Sequence, residues 1–307
     1  MLRISIHPAD TFLRAGGIDE GFAMMRRAGV EAIQFGLSCY VMPSKDVRAN
    51  APSVLDSPPE EIFALLRPYK EAAERHGIAF SQIHAPYPMW APDNERLNAR
   101  MPAIMRKSIA AAGYLGCGQI VIHPAAPAQN SDRLSAEEEW ALNRRLYSEM
   151  IPVLKEHRVT ALLENMFSRG EEGTRYASVC ADFREAARWV DELNALAGEE
   201  RFAFCLDTGH CHLARQNLNR AVRVLGKRLA ALHIQDNFGH LDDHRAPYMG
   251  NINWPSFLES LKAVGYRGDL NFEAMAAIDR YPAEMTESCL RLLVLTGQYF
   301  RQTILAE

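Results

Sequence analysis

The sequence predicts a single α/β domain folded as a closed (β/α)8 barrel of the TIM type, and three observations carry that expectation. A unit of short strand, amphipathic helix and glycine recurs along the whole chain, and eight such strands can be placed in 307 residues. Parallel strands need helical crossovers, and barrels of this kind typically use ~250 residues. The alternative, an open doubly wound sheet, lacks the GxGxxG turn that its dinucleotide-binding version would carry after the first strand.

Each element has its own signal. ISIH at 4–7 reads as a strand, and IDEGFAMMRRAG behind it places apolar residues at helical spacing before Gly29 stops the turn. The remaining strands are AIQFGL (32–37), AFSQIHA (79–85), QIVIHP (119–124), VTALLEN (159–165), FAFCLDTGH (202–210), AALHIQD (230–236) and DLNFEA (269–274). Between them the amphipathic stretches are clear. In PPEEIFALLRPYKEAAERHG, Ile62, Leu65, Leu66, Tyr69, Ala72, Ala73 and His76 form one stripe. Pro102 and Pro152 fall inside apolar-periodic stretches, where proline removes a backbone bond, so bends or helix starts are expected there. No linker or low-complexity tract divides residues 1–307, which read as one domain.

Composition narrows the function classes. The chain is 48% hydrophobic and 23% charged, ordinary globular values that exclude disorder and fibrous repeats. With 34 Lys plus Arg against 38 Asp plus Glu, the net charge of −4 lacks the basic excess of a general nucleic-acid binder. No apolar run approaches the ~20 residues of a membrane span, and MLRISIHPAD has no signal core, so a soluble, cytoplasmic protein is expected. A homo-oligomer stays open. The six cysteines form no CxxC pair and are expected as free thiols.

Connection lengths mark one end of the barrel as the working end. Helix-to-strand links are tight, as at His76-Gly77 and Arg267-Gly268, whereas the strand-to-helix links 38–58, 86–93, 125–134, 166–181 and 237–253 are long. Sites in such barrels are built at the C-terminal strand ends. There the sequence places His7, His84, His123, Glu164, Asp207 with His210, His233 with Asp236, and Glu273, nearly all of them metal-ligand types. Taken singly, a histidine at a strand end is more often a packing residue and Asp207 could simply cap a helix. Taken together, several buried carboxylates converging on one axis would repel each other unless a cation balanced them. Asp242 and His244 in HLDDHRAPYMGNINW form a D-x-H pair that could add to the set. His76 and His157 read as helix C-terminal residues serving the dipole, and His212 and His240 as loop positions without a partner.

LLEN at Glu164, LDTGH at 206–210, HIQD at 233–236, DDHRAPYMGNINW at 242–254 and NFEA at Glu273 together resemble the sugar phosphate isomerase/epimerase family, the xylose isomerase-like TIM barrels, in order and on the expected strands. The resemblance implies one divalent metal held by Glu164, Asp207, His233 and Glu273, with Glu164 and Glu273 also acting as acid and base. Around that ion, His84, His123 and His210 are expected beside a small sugar or polyol substrate, and Arg245 could fork onto its hydroxyls or a phosphate. The same superfamily contains endonuclease IV-type enzymes, whose three-zinc cluster would also draw on His84, His123, His210, Asp242 and His244. This chain departs from that pattern by a shorter spacing between His233 and the D-x-H pair and by its non-basic charge, which disfavours a nucleic-acid partner.

A shell of nitrogen and oxygen donors suits Mn²⁺, Co²⁺, Mg²⁺ or Zn²⁺ without choosing among them. A cation there favours loss of a proton next to a carbonyl, with the two glutamates exchanging it for epimerisation or isomerisation. Phe35, Tyr40, Tyr87, Trp90, Phe167 and Tyr248 are candidates to wall the sugar, and the lack of a Gly-rich phosphate loop after the last strands points to an unphosphorylated substrate. Two other readings are a multi-zinc phosphodiester hydrolase and a barrel that binds a sugar without turning it over.

Overall fold

A computed structural model describes residues 2–126, 134–170 and 173–306. Eight parallel strands, β1 (Ile4–Ile6), β2 (Ala32–Gly36), β3 (Ala79–His84), β4 (Gln119–Val121), β5 (Thr160–Glu164), β6 (Phe202–Asp207), β7 (Leu229–His233) and β8 (Leu270–Phe272), pair in chain order, with β8 returning to β1. The seam between β7 and β8 is closed by the Ile234–Phe272 bridge and by Ile234 N–H donating to Asn271 O at 2.8 Å. The barrel expectation therefore holds, and the open sheet does not.

The strands are shorter than the sequence suggests. The stretch 202–210 stops at Asp207, because Asp207 caps the short helix Thr208–Leu213 by accepting from the His210 N–H at 2.7 Å. The stretches 119–124 and 269–274 shrink to three residues each, leaving His123 and Glu273 just beyond their strands. The long connections also contain structure that the sequence left as loop: the turn of helix at Ser44–Arg48 and an antiparallel hairpin pairing Phe167–Arg169 with Arg175–Ala177. Residues 127–133 of the 125–134 connection and 171–172 of the 166–181 connection lie outside the described residues.

The outer helices follow their sequence signals. Helix α1 (Ile18–Ala28) ends on Gly29 in the left-handed region, as does α2 (Pro59–His76) on Gly77. Of the α2 stripe, Ile62, Leu66, Ala72 and Ala73 are buried, Leu65 is exposed, and His76 pairs with Asp19 at 3.1 Å. Pro152 stands in the first turn of Ile151–His157, where its missing N–H costs nothing. Pro102, however, lies inside the continuous helix Glu95–Tyr114, as Pro68 does in α2. Tertiary burial of Met101, Ile104 and Met105 on the same helix offsets the lost backbone bond. All six cysteines are free, and no helix among the described residues is long and apolar enough to cross a membrane.

The main core lies between the strands and the helices, filled by Trp189, Trp254, Tyr147, Phe22, Phe202 and Phe257. The barrel interior is divided. Val121, Leu162, Cys205 and Ala231 form a small separate apolar cluster, whereas buried Ser5, Gln34, Ser81, Gln82 and Asn271 are joined by hydrogen bonds on the side of β1, β2, β3 and β8. Interiors of such barrels are normally packed with branched apolar residues, so the polar half is a departure that bears on the site above it.

Candidate metal centre

Three strand-end carboxylates converge on one atom of a fourth strand-end residue, His233. His233 Nδ1 lies 3.1 Å from Glu164 Oε1, 3.4 Å from Glu273 Oε2 and 3.9 Å from Asp207 Oδ2. Donors arranged tetrahedrally or octahedrally around a divalent ion at ~2.1 Å sit about 3–3.4 Å apart, which is the spacing of His233 Nδ1 from Glu164 and Glu273, while Asp207, His233 and Glu273 offer donor atoms within 4.8 Å of one another. All four residues are buried, Glu164, Asp207 and His233 completely. Three carboxylates at this depth demand positive charge. Glu164 Oε2 is also buried without a well-directed hydrogen bond, although His123 Nε2 approaches it to 3.1 Å. The chemistry of the donor set and this under-satisfied oxygen fit a divalent cation.

Without a cation, imidazoles supply the balance. Burial pulls the His233 ring toward the neutral form, but the thiol of Cys205 and the carboxylates of Glu273 and Glu164 outweigh it and hold the ring well above the usual histidine range. His210 is raised in the same way against its burial by Asp207 and Asp242. Burial would lift Glu164, yet His233 and His123 keep it well below the usual carboxylate range. Asp207 is the carboxylate left over: burial pushes it up to about 6, with Glu164 and Glu273 adding to the push. This is the expected pattern for three acids sharing too little positive charge.

A cavity of about 810 Å³ opens above this cluster, lined by Glu164 and Glu273 but not by Asp207 or His233. The floor is therefore layered: two ligand types lie beneath, and two glutamates face both the cluster and the cavity. His84, His123 and His210 line the same cavity. His84 Nε2 is 3.0 Å from His123 Nε2, and His84 Nδ1 faces Ala85 O at 2.9 Å. His210 belongs to the first turn after β6, with Nδ1 directed at Asn165 O (3.0 Å) and Nε2 3.5 Å from Asp242 Oδ2. Asp242 and His244 also reach the cavity and lie 3.2 Å apart, and His244 Nδ1 is fixed on Glu273 O at 2.8 Å. Donor atoms form three overlapping groups: His84, His123 and Glu164; Glu164, Asp207 and His210; and Asp207, His233 and Glu273.

Other expectations are corrected. Arg245 is turned to Asp243 (3.0 Å) and to the face of Phe238 and is not among the residues lining the cavity. Asp236 is no ligand. It is fully buried and accepts from the N–H groups of Asn237, Tyr248 and Ile252 and from Trp254 Nε1, at 2.8–3.2 Å. Gly250 is required there because a Cβ would collide with Asp236 and with the backbone of Asn237. Of the aromatic residues, Tyr87, Trp90 and Phe167 line the cavity. Phe35 and Tyr40 stack on each other beneath, and Tyr248 packs on Trp254 and Phe300 outside. His212 has a partner after all, Asn251 Oδ1 at 2.7 Å.

Sequence reading missed the amides. Asn165 clasps the Asp207 backbone on both its N–H (2.9 Å) and its carbonyl (3.0 Å), Gln235 donates to Asp242 at 2.9 Å, and Gln34 donates to Glu273 at 2.8 Å. The available signal was a polar residue between two apolar ones in ISI, IQF and LNF, where strand alternation sends it inward.

The family model of the xylose isomerase-like TIM barrel matches residues 22–290, and the chain belongs to that family. It is 28% identical over 197 residues to the uncharacterized protein MJ1311 of Methanocaldococcus jannaschii (62% of this chain, 63% of the relative). It is 30% identical over 95 residues to an L-ribulose 3-epimerase of Methylomonas sp. (30% of this chain, 29% of the relative). The matched stretches thus span less than two thirds of these relatives. Among solved structures, the D-allulose 3-epimerase of Methylomonas sp. in complex with D-allulose shares the fold at a TM-score of 0.69 and 17% identity, over 97% of this chain and 96% of that one.

Proposed function

We propose that this member of the xylose isomerase-like TIM-barrel family is a sugar epimerase or isomerase that holds one divalent cation between Glu164, Asp207, His233 and Glu273 and moves a proton next to the substrate carbonyl with its two glutamates. The observation that carries the reading is the layering of the site: three carboxylate oxygens converge on His233 Nδ1, and of the four residues only Glu164 and Glu273 also face the cavity. The similarity to an L-ribulose 3-epimerase and to the fold of a D-allulose 3-epimerase supports an unphosphorylated ketose as substrate class.

When bound, the cation would supply Lewis-acid stabilisation of the negative charge that develops as the proton leaves. The protein supplies the rest. One glutamate takes the proton from the carbon beside the carbonyl, and the other delivers its own proton on the opposite face to invert the centre, leaving the two protonation states exchanged; delivery of a proton to the former carbonyl carbon, with the adjacent hydroxyl proton passing to the carbonyl oxygen, gives isomerisation instead. General acid–base help of this kind is worth ~10²–10⁴-fold. His84, His123 and His210 orient the sugar hydroxyls from the cavity wall, and Tyr87, Trp90 and Phe167 exclude water around them.

The test is turnover of a ketose panel in D₂O with added Mn²⁺, Co²⁺, Mg²⁺ or Zn²⁺. Deuterium should enter the product at the carbon that changes, and Glu164→Gln and Glu273→Gln should stop its entry. The grouping of His84 and His123 with Glu164 favours one second reading, a multi-zinc phosphodiester hydrolase. Two or three zinc ions per chain with cleavage at an abasic site would establish it.

A further inference from the structure

We propose that Gln34 is a positioning residue for Glu273 and that its own amide is aimed by a row of hydrogen-bonded side chains, Ser81, Ser5 and Asn271, crossing the barrel interior. This rests on the reading above, in which Glu273 is both ligand and proton-transfer group.

The distances define a directed chain. Ser81 Oγ is 2.6 Å from Ser5 Oγ, Ser5 Oγ donates to Asn271 Oδ1 at 2.8 Å, Asn271 Nδ2 donates to Gln34 Oε1 at 2.6 Å, and Gln34 Nε2 donates to Glu273 Oε1 at 2.8 Å. Gln82 Nε2 adds a second donor to Gln34 Oε1 at 3.3 Å. An amide can be flipped, so the direction needs an argument. Turning Gln34 over would set its oxygen against the Glu273 carboxylate and its NH₂ against two NH₂ groups. Turning Asn271 as well would satisfy the contact between the two amides but leave acceptor facing acceptor at Glu273. The hydroxyls permit this direction without selecting it: Ser5 can give its one proton to Asn271 Oδ1, and Ser81, also with one proton, lies within reach of both Ser5 Oγ and Ile33 O (3.0 Å). The charge at Glu273 thus selects the arrangement.

The consequence is a fixed carboxylate. With Oε1 held by Gln34, Glu273 presents Oε2 to His233 Nδ1 at 3.4 Å, the position required of it in the donor set. Glu273 lies just beyond a three-residue strand and is buried with Oε2 facing His233 and His244, and the bond to Oε1 adds a constraint on the carboxylate plane that those contacts leave open. Five buried polar side chains gain little net stability over an apolar filling, and the other half of the same barrel shows that an apolar filling fits. Orientation of Glu273 is what the row provides in return.

The experiment compares Gln34→Met, a shape-conserving change without the donor, with Asn271→Leu and the double variant, each checked for folding by thermal melting. Loss of an outer hydrogen-bond partner of a metal ligand typically costs ~10–100-fold in metal affinity or activity. Gln34→Met should weaken binding of Mn²⁺, measured by calorimetry, by that order and lower kcat with KM little changed. Asn271→Leu should do the same to a smaller extent, and the double variant should be no worse than Gln34→Met alone, because Asn271 acts through Gln34. A crystal structure of Gln34→Met should show the Glu273 carboxylate turned from its present position. Wild-type Mn²⁺ affinity and kcat in Gln34→Met, or full additivity of the two changes, would overturn the proposal. If Gln34→Met fails to fold, Ser5→Ala should still weaken Mn²⁺ binding a few-fold, and unchanged binding there would overturn it equally. Failure of the wild-type protein to turn over any sugar would count against the function above, whereas the Mn²⁺ and crystallographic results judge the row independently.

Discussion

Replacing Asp236 by Ala removes a carboxylate that is completely buried and accepts four hydrogen bonds, from Asn237 N (2.9 Å), Tyr248 N (3.0 Å), Ile252 N (3.2 Å) and Trp254 Nε1 (2.8 Å). Each bond to a charged group is worth ~1.5–3 kcal/mol net, but the four share one acceptor and do not add. Leaving buried donors unpaired sets the scale at about 3–5 kcal/mol, comparable to breaking a buried ion pair from one side. At a few degrees per kcal/mol for a domain of this size, Tm should fall by on the order of 10 °C. Denaturant melts and calorimetry measure this, and protease sensitivity should appear within 237–253, the segment whose ends Asp236 ties together. At low temperature the folded variant should still take up one equivalent of divalent ion, because Asp236 donates no ligand. A loss under about 1 kcal/mol would refute the assignment of Asp236 as the structural node, and loss of the ion with an unchanged Tm would return it to the ligand set.

Glu164→Gln and Glu273→Gln should each remove nearly all turnover while leaving the circular dichroism spectrum intact, and a variant with wild-type kcat would show that the proton-transfer groups lie elsewhere. His84→Ala and His123→Ala should retain about one equivalent of metal and lose turnover or substrate affinity; loss of the metal would make them primary ligands. Burial pulls His233 toward the neutral form, but Cys205, Glu273 and Glu164 raise its ring above the usual range, and a proton held there must leave before the ring can ligate. Metal affinity should therefore fall as pH falls, and calorimetry in buffers of different ionisation heat should detect proton release on ion binding. Uptake without proton release would contradict that protonation state. Gly250→Ala should destabilise the protein through the collision with Asp236 and Asn237, and a Tm unchanged within about 1 °C would refute the close approach.

The barrel was legible because its signal is repetitive. Eight apolar strands separated by amphipathic helices leave few arrangements, and the long loops named the working end. The ligand-type residues were legible for a related reason: strand ends of a closed barrel converge, so Glu164, Asp207, His233 and Glu273 could be brought together without knowing any distance. What the sequence could not separate is chemically identical residues with different surroundings. Asp236 and Asp207 both follow apolar strands and both read as ligands, yet the backbone after Asp236 curls around its carboxylate while only one oxygen of Asp207 caps a helix. Arg245 reads as a free cation beside the site until the loop pairs it with Asp243. The neutral amides were missed because Gln34, Asn165 and Asn271 carry no charge or ligand chemistry of their own, and their importance lies in what they hold. Pro102 does not start its helix but lies within it, because burial of neighbouring side chains offsets a local preference.

The central claim is one cation held by two glutamates, an aspartate and a histidine, and an anomalous-difference map from a crystal soaked in Mn²⁺ tests it most directly. The account predicts a single strong peak at bonding distance, ~2.0–2.3 Å, from carboxylate oxygens of Glu164, Asp207 and Glu273 and from His233 Nδ1, with His84 and His123 outside that shell. A peak centred on His84 and His123, or two or more peaks sharing Glu164, would contradict it.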